Sequence, residues 1–208
     1  MEFDGIILDV DGTIWNSTEI VADGWNRAIE ELFPFVNRVS ADILKAQFGK
    51  TMAEIAENLF PELNDREKQI LIKKCSFYEE KFLEENTKNI TYAKVIETIK
   101  NLAEKTKLYI VSNCHDGYID LVCKKNGICE YIVDSECYGH NGKSKAENIK
   151  LIISRNCILA PVYVGDTQGD CDACIEAGVK FIWASYGFGK DVKGFYRKIN
   201  SFDELLYI

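Results

Sequence analysis

The sequence predicts an α/β protein that has a Rossmann-like parallel sheet and an inserted, all-helical domain. Three observations support this fold class. Short apolar runs recur along the chain, helical patterns alternate with them from residue 92 onward, and residues 16–88 hold helical patterns but no comparable run. At roughly 150 residues per domain, a chain of 208 residues fits one domain, or one domain that carries an insertion.

The apolar runs predict the strands of the sheet. Their apolar residues are continuous rather than alternating, which is expected when helices cover both faces of a sheet. The predicted strands are Phe3–Asp9, Leu108–Ser112, Val162–Gly165 and Lys180–Ala184, with a weaker one at Tyr131–Asp134.

Helical patterns separate these strands and predict the layers on either side of the sheet. The alternation of strand and helix implies right-handed crossovers and parallel strands. Gly178 is a plausible C-cap for the last helix of the series. The predicted helices are Tyr92–Lys105, Gly117–Asn126, Ser144–Asn156 and Asp170–Ala177, and the chain ends in a short capped helix at Ser201–Ile208.

The segment between the first two strands is predicted to be entirely helical. Ser40 and Asn64 are suitable N-caps within it. Trp15 and Trp25 are predicted to serve core or hinge packing rather than stacking on substrate. We therefore expect an α/β core formed by residues 1–15 and 89–208, and a helical domain formed by residues 16–88. The predicted helices of that domain are Glu19–Leu32, Ala41–Phe48, Met52–Leu59 and Asp65–Glu85.

Composition and charge exclude several functional classes. The chain has 25 Lys and Arg against 33 Asp and Glu, a net charge of −8, which disfavours broad nucleic-acid binding. No apolar run approaches the ~20 residues that cross a bilayer, and the N-terminal segment lacks the features of a secretory signal. Eight scattered cysteines then favour reduced thiols in a cytoplasmic protein. The sequence does not specify an oligomeric state.

Two carboxylates follow the first predicted strand, in the run Asp9-Val10-Asp11-Gly12-Thr13. Ligands of open α/β sheets bind beyond the carboxyl ends of the strands. Two carboxylates that point into one site repel each other unless a cation lies between them, and Mg²⁺ prefers such oxygen ligands. The alternative is an acidic turn after a strand, because Asp-Gly is a common turn pair.

A second acidic pair follows a later strand, at Asp166 and Asp170. Asp166 is expected at the strand end and Asp170 in the first turn of the next helix, so both side chains can face one point. The alternative is helix capping, which is favourable for an acidic residue at a helix N-terminus. Capping explains Asp170 better than Asp166.

Two further segments offer groups that bind anions. Ser112 and Asn113 end a predicted strand, where a hydroxyl and a backbone N–H can bind phosphate, although a polar loop start is the favoured interpretation of this segment taken alone. Lys143 and Lys145 flank the start of a predicted helix, whose N-terminus favours anions. Ser144 and Glu147 fit a structural capping box, which does not explain the lysines.

In chain order, these motifs resemble those of the haloacid dehalogenase superfamily of phosphatases. DxDGT followed by GDxxxD is a highly specific pair, and the resemblance covers the whole predicted α/β part. The plan is most similar to that of phosphoglycolate-phosphatase-like members. The resemblance implies the fold of that superfamily, with residues 16–88 as its small helical cap.

The resemblance also implies a Mg²⁺-dependent phosphatase that acts on a small phosphorylated metabolite through an aspartyl-phosphate. Asp9 would be the nucleophile and Asp11 the general acid and base. Ser112 and Lys145 would complete the catalytic set. The implied phosphate-binding and substrate-binding residues are Gly12, Thr13, Asn113, Lys143 and Lys50, and the implied metal-binding residues are Asp9, Asp11, Asp166 and Asp170.

The sequence departs from the family pattern in two places. No proline follows Lys143 or Lys145; we favour Lys145 as the phosphate-binding lysine because it directly enters the helix, and Lys143 remains the alternative. Asn16 stands where relatives often carry an aspartate, which weakens any assignment of substrate but not of chemistry. Lys50 lies in a glycine-bearing turn that resembles the substrate-facing loop of the cap, and a solvated surface lysine is the alternative.

Two other activities of the same fold stay open from the sequence. A phosphosugar mutase similar to β-phosphoglucomutase would need cap residues that hold substrate in two orientations, and Arg27 and Arg38 do not lie in suggestive loops. A phosphonate hydrolase would need a cap lysine that forms a Schiff base, for which Lys50 is available. Asp11 argues against a dehalogenase, and the complete set of polar residues argues against a catalytically silent binding protein.

Overall fold

A computed structural model describes residues 2–208 and contains a six-stranded sheet in the order β3-β2-β1-β4-β5-β6. Every neighbouring pair of strands is parallel, which confirms the predicted fold class. The strands are β1 (Gly5–Leu8), β2 (Lys107–Ser112), β3 (Ile132–Cys137), β4 (Pro161–Gly165), β5 (Lys180–Ala184) and β6 (Arg197–Ile199).

Within residues 2–208, five α-helices lie between β1 and β2, and the other four lie between later strands. A 3₁₀ turn at Cys129–Tyr131 and a 3₁₀ helix at Phe202–Tyr207 complete the secondary structure of the described residues. The α-helices are α1 (Thr18–Leu32), α2 (Ala41–Lys45), α3 (Met52–Leu59), α4 (Asp65–Glu85), α5 (Val95–Ala103), α6 (Tyr118–Asn126), α7 (Tyr138–Asn141), α8 (Lys145–Asn156) and α9 (Gln168–Ala177).

Several predicted bounds were wrong, each for a local reason. Helix α5 starts at Val95 because Lys94 adopts a left-handed conformation with φ 61°. The weak strand predicted at Tyr131–Asp134 instead runs over Ile132–Cys137, and helix α2 ends at Lys45, before the turns that precede Met52. The C-terminal helix is of the 3₁₀ type, and the side chain of its N-cap Ser201 accepts no capping hydrogen bond.

The chain divides into two compact units, one up to Asn16 together with Ile90–Ile208, and the other Ser17–Asn89. The core of the first unit lies on the central strands, since all four residues of β1 are buried. Gly178 takes the left-handed C-cap conformation with φ 72°, as predicted. One cluster of buried residues in the core of the first unit includes Ile7, Tyr109, Val111, Ile149, Ile152, Tyr163, Cys171, Cys174 and Phe181.

The second unit consists of helices α1–α4, and no strand occurs in residues 17–89. Ser40 and Asn64 cap α2 and α4 with their side chains, as predicted. The predicted burial of both tryptophans is also confirmed, since Trp15 in the first unit and Trp25 in the second are each 1% exposed. The indole N–H of Trp25 donates to Glu79 Oε2 at 2.8 Å.

No helix among the described residues is both long enough and apolar enough to span a membrane. All eight cysteines are free thiols.

Candidate active site

The central strand of the sheet places Asp9 between two neighbouring strand ends. Leu8, the last residue of β1, is in register with Ile110 of β2 and Val164 of β4. Asp9 follows directly, and its backbone N–H donates to the Val164 carbonyl at 2.9 Å. The side chain is buried. The carboxyl ends of three parallel strands therefore surround this aspartate, as expected for a binding site in an open α/β sheet.

Lys145 links Asp9 to Asp170, which lies in the helix that follows β4. Its Nζ lies 3.0 Å from Asp9 Oδ1 and 2.5 Å from Asp170 Oδ1, and all three side chains are almost completely buried. The lysine is the first residue of α8, whose N-cap Ser144 forms the predicted capping box with Glu147. The predicted cap is therefore present, and it fixes the helix start from which Lys145 reaches the two carboxylates.

The burial of these charges changes their proton affinities. Burial raises the pKa of Asp9 to about 6, although the positive charge of Lys145 opposes the rise. Burial alone would lower the pKa of Lys145, but the charges of Asp170 and Asp9 raise it above its usual range. A buried ammonium group that is surrounded by carboxylates stays charged.

Asp166 directly follows β4 and completes a cluster of three buried carboxylates. Asp9, Asp166 and Asp170 each offer an oxygen within 4.8 Å of the others. Asp166 Oδ2 accepts from the backbone N–H of Phe188 at 2.6 Å, whereas its Oδ1 is buried and has no hydrogen-bond partner. Burial, with the charges of Asp170 and Asp9, raises the pKa of Asp166 well above its usual range.

This donor set fits a divalent cation. The cluster consists of carboxylate oxygens, which Mg²⁺ prefers as ligands, and one of those oxygens is buried without a partner. A buried polar atom without a partner is costly, and a cation beside Asp166 Oδ1 would remove that cost together with the mutual repulsion of the carboxylates. The cluster could therefore hold a metal ion.

Asp170 both caps its helix and supports the cluster. Its Oδ2 accepts from the backbone N–H and the hydroxyl of Thr167, at 2.9 and 2.7 Å, and forms the capping box of α9. Its Oδ1 accepts from Lys145. The capping alternative for Asp170 therefore holds together with a second role, because the same carboxylate neutralises the lysine.

Gly12 and Thr13 form the tight turn after the first strand. Gly12 has a φ of +85°, and a Cβ built there would lie 2.3 Å from Asp166 Oδ2. Only glycine fits this position, because a side chain would meet both strain and a clash. The hydroxyl of Thr13 is buried without a hydrogen-bond partner.

Asp11 is not one of the three clustered carboxylates and accepts from other donors. The side chain is partly exposed. Its Oδ1 accepts from Trp15 Nε1 at 3.0 Å and from Tyr118 Oη at 2.9 Å. The acidic-turn alternative does not explain why two buried aromatic side chains both donate to this carboxylate.

The remaining predicted residues lie in different settings. Ser112 is buried at the end of β2, and Asn113 follows it, partly buried. Lys143 is exposed, unlike Lys145. Lys50 is an exposed residue of the helical unit, and its Nζ donates to Gln47 Oε1 at 3.0 Å.

Comparison with known families identifies the superfamily that the sequence motifs resemble. The family model for haloacid dehalogenase-like hydrolases matches residues 6–184. The chain belongs to this family. No curated protein matches it significantly.

Solved structures share the fold of this haloacid dehalogenase-like hydrolase at low sequence identity. A protein described as a "predicted phosphoglycolate phosphatase" from Haemophilus somnus has a TM-score of 0.84 and 19% identity, with 100% of this chain and 98% of that chain covered. A haloacid dehalogenase-like hydrolase from Bacteroides fragilis gives a TM-score of 0.86 and 17% identity, with 98% and 99% covered. CbbY from Rhodobacter sphaeroides, in complex with xylulose-(1,5)bisphosphate, gives 0.80 and 14%, with 98% and 96% covered.

The loop after β5 is a part of the candidate site that sequence reasoning missed. A Cβ at Gly187 would lie 2.3 Å from the Gly12 carbonyl oxygen, and one at Gly189 would lie 2.0 Å from the Asp166 carbonyl oxygen. Tyr186 Oη donates to the Thr13 carbonyl at 3.0 Å. Two glycines two residues apart just after a predicted strand were the available signal, since such spacing marks a close backbone approach.

A buried tyrosine beneath Asp9 was also missed. Tyr163 of β4 donates its hydroxyl to the Val111 carbonyl at 2.8 Å and lies 3.3 Å from Asp9 Oδ1. In the sequence it is one apolar position of a buried strand, and only the sheet order reveals that its hydroxyl crosses beneath β1.

Proposed function

We propose that this hydrolase is a Mg²⁺-dependent phosphatase that hydrolyses small phosphomonoesters through an aspartyl-phosphate on Asp9. The observation that carries the proposal is the environment of Asp9, a buried carboxylate that touches Lys145 and lies within 4.8 Å of Asp166 and Asp170. A carboxylate that approaches a phosphate dianion is repelled unless positive charge is close by. Lys145 supplies such a charge, and the carboxylate cluster can hold a second.

The reaction would proceed in two steps. In the first, a carboxylate oxygen of Asp9 bonds to phosphorus while the ester oxygen leaves and takes a proton from Asp11. In the second, Asp11 takes a proton from water as the water oxygen bonds to phosphorus and the bond to Asp9 breaks. The covalent intermediate divides one difficult displacement into two easier ones. A bound Mg²⁺ would supply charge neutralisation at the transferring phosphoryl group.

The other residues would bind and orient the phosphoryl group. We propose that Ser112, Lys145 and Asn113 contact its oxygens, together with the turn at Gly12 and Thr13. Asp9, the backbone carbonyl of Asp11, Asp166 and Asp170 would hold the metal ion. Lys145 is the better candidate than Lys143, because it is buried against Asp9 whereas Lys143 is exposed.

We further propose that the helical unit, Ser17–Asn89, acts as the cap that selects the substrate, with Lys50 as a contact for an anionic leaving group. Small phosphorylated metabolites are the proposed substrates, phosphoglycolate among them. Support comes from the description of the Haemophilus somnus protein as a predicted phosphoglycolate phosphatase and from the xylulose bisphosphate bound to CbbY. The free thiols agree with a reducing, cytoplasmic environment.

A screen of phosphorylated metabolites tests this function. We expect release of inorganic phosphate in the presence of Mg²⁺ and its loss on addition of EDTA, with activity restored by excess Mg²⁺. Formation of a phosphosugar isomer without free phosphate would instead indicate a mutase, and release of an aldehyde from a phosphonate would indicate a phosphonate hydrolase. Turnover that is insensitive to EDTA would contradict the proposed metal dependence.

A further inference from the structure

We propose that Trp15 and Tyr118 are positioning residues that hold Asp11 in the orientation from which it transfers protons. The inference rests on the proposed function, in which Asp11 is the general acid and base, and it assigns a task to two residues that this function leaves unused. Neither residue would exchange a proton or touch the phosphoryl group.

Both donors converge on a single oxygen atom. The Trp15 indole N–H and the Tyr118 hydroxyl donate to Oδ1 of Asp11 at 3.0 and 2.9 Å. The tryptophan lies four residues after Asp11, whereas the tyrosine opens helix α6, 107 positions along the chain. Two donors from separate segments restrict rotation of the carboxylate more than either donor alone.

The donors are themselves held in place. Both aromatic side chains are 1% exposed, and their rings pack edge to face with centroids 5.9 Å apart. The ring of His115 packs against that of Tyr118, with the ring centroids 5.3 Å apart. Backbone bridges join Trp15 to Asp11 and to Thr91. Buried rings in such contacts do not change rotamer freely, so their polar atoms stay directed at Asp11.

This arrangement gives the two oxygens of Asp11 different tasks. Oδ1 accepts from both aromatic donors, and we assign the transferred proton to Oδ2. In the first step Oδ2 gives this proton to the ester oxygen as that oxygen leaves phosphorus. In the second step it receives one from the attacking water. A misdirected carboxylate would lose both transfers, because proton transfer requires hydrogen-bond geometry.

Packing alone does not explain the polar atoms of these side chains. A phenylalanine could fill much of either aromatic position, but it would not donate to Asp11. The helical unit supplies a matched comparison, because Trp25 is also 1% exposed and its indole N–H donates to the carboxylate of Glu79, outside the α/β unit.

The test compares two leaving groups in single-turnover reactions with enzyme in excess over substrate. Dinitrophenolate leaves without a proton, whereas phenolate leaves far better with one, so only phenyl phosphate depends on the acid. We expect Tyr118→Phe and Trp15→Phe to slow phenol release by about 10- to 100-fold, which is a part of the roughly 10²- to 10⁴-fold that general acid catalysis supplies. Release of dinitrophenol from dinitrophenyl phosphate should change by less than about 3-fold, since its step needs little acid catalysis. Trp25→Phe is the control and should alter neither rate.

Each outcome supports or overturns the inference. If Tyr118→Phe and Trp15→Phe slow both substrates equally, the residues have a merely structural role; if they slow neither, they have no positioning role. Asp11→Asn separates this failure from failure of the proposed function. If Asp11→Asn shows the leaving-group pattern and the two aromatic variants do not, only the positioning role is wrong. If Asp11→Asn does not show the pattern, or the wild type cleaves neither substrate, the proposed function fails as well.

A spectroscopic readout tests the contact without any turnover. The chain has three tryptophans, so three indole N–H resonances are expected, and Trp15→Phe assigns one of them. We expect Asp11→Ala to shift the Trp15 resonance and to accelerate its hydrogen exchange, while the Trp25 resonance stays in place. An unchanged Trp15 resonance would show that the contact with Asp11 is absent in solution and would overturn the inference.

Discussion

Each of the two units buries a tryptophan whose indole N–H donates to a carboxylate, yet the surroundings of the two pairs differ. Trp25 donates to Glu79 between helices α1 and α4. Trp15 donates to Asp11 at the sheet edge, two residues from Asp9 and the buried carboxylate cluster. The same local contact therefore lies between two helices in one unit and beside a group of converging charges in the other.

The lysines of the two units show the same difference. Lys68 of the helical unit pairs with Glu57 at 2.6 Å, and the Glu57 side chain is 62% exposed. Lys145 pairs with two carboxylates that are at most 4% exposed. Buried charge is expensive and is kept where each ion has a partner, so the concentration of such charges in the α/β unit supports the proposal that the active site lies there.

The largest expected difference concerns the carboxylates themselves. Asp9→Asn should lower kcat by at least about 10⁴-fold, because it removes the proposed nucleophile. Glu79→Gln in the helical unit should leave kcat nearly unchanged. Steady-state phosphate release measures both, with circular dichroism as the check on folding. Near-normal turnover by Asp9→Asn would remove the distinction between the two units.

Substitution of a paired lysine should cost more stability in the α/β unit than in the helical unit. Lys145→Met leaves buried carboxylates without their positive partner and should cost about 3–5 kcal/mol in the free energy of unfolding. Lys68→Met should cost at most about 1 kcal/mol, because the carboxylate it leaves behind is solvated. Urea denaturation without added metal measures both variants, and equal losses would contradict the assignment of Lys145 to a buried charge cluster.

The tryptophan of the helical unit should matter for stability alone. Trp25→Phe removes a hydrogen bond to a buried charged group and should lower the free energy of unfolding by about 1.5–3 kcal/mol. Its kcat should match that of the wild type under conditions where both are folded. A selective loss of kcat would mean that the Trp25–Glu79 pair also serves the reaction.

The smallest effect is expected at the second lysine of the α8 segment. Lys143 is exposed, and exposed substitutions usually change stability by no more than about 0.5 kcal/mol. Lys143→Ala should therefore leave both stability and kcat close to wild type. A large loss of phosphatase activity in Lys143→Ala, with activity retained in Lys145→Met, would make Lys143 the phosphate-binding lysine instead.

The sequence predicted those parts of the fold and site that depend on local pattern. Continuous apolar runs located β1, β2, β4 and β5, and polar residues at their ends indicated Asp9, Ser112 and Asp166. The three-residue strand β6 and the one-turn helix α7 were missed because elements so short carry almost no periodicity.

Contacts between distant segments could not be predicted from the sequence. The hydroxyl of Tyr118 meets Asp11 across 107 positions, and Phe188 donates to Asp166 across 22. In the sequence, Tyr118 and Tyr163 are only apolar positions of a helix and a strand. Their polar atoms acquire a role only when the order of the strands brings them to the same edge of the sheet.

The most direct test of the account is to trap the enzyme during turnover. Acid quenching followed by peptide mass spectrometry should find one added phosphoryl group on Asp9, and Asp11→Asn should increase the trapped fraction if it slows hydrolysis more than formation. The phosphoryl group should be absent from Asp9→Asn. Rapid turnover by the wild type with no phosphoryl group on Asp9 in any quenched sample, or with the group on a different residue, would contradict the account.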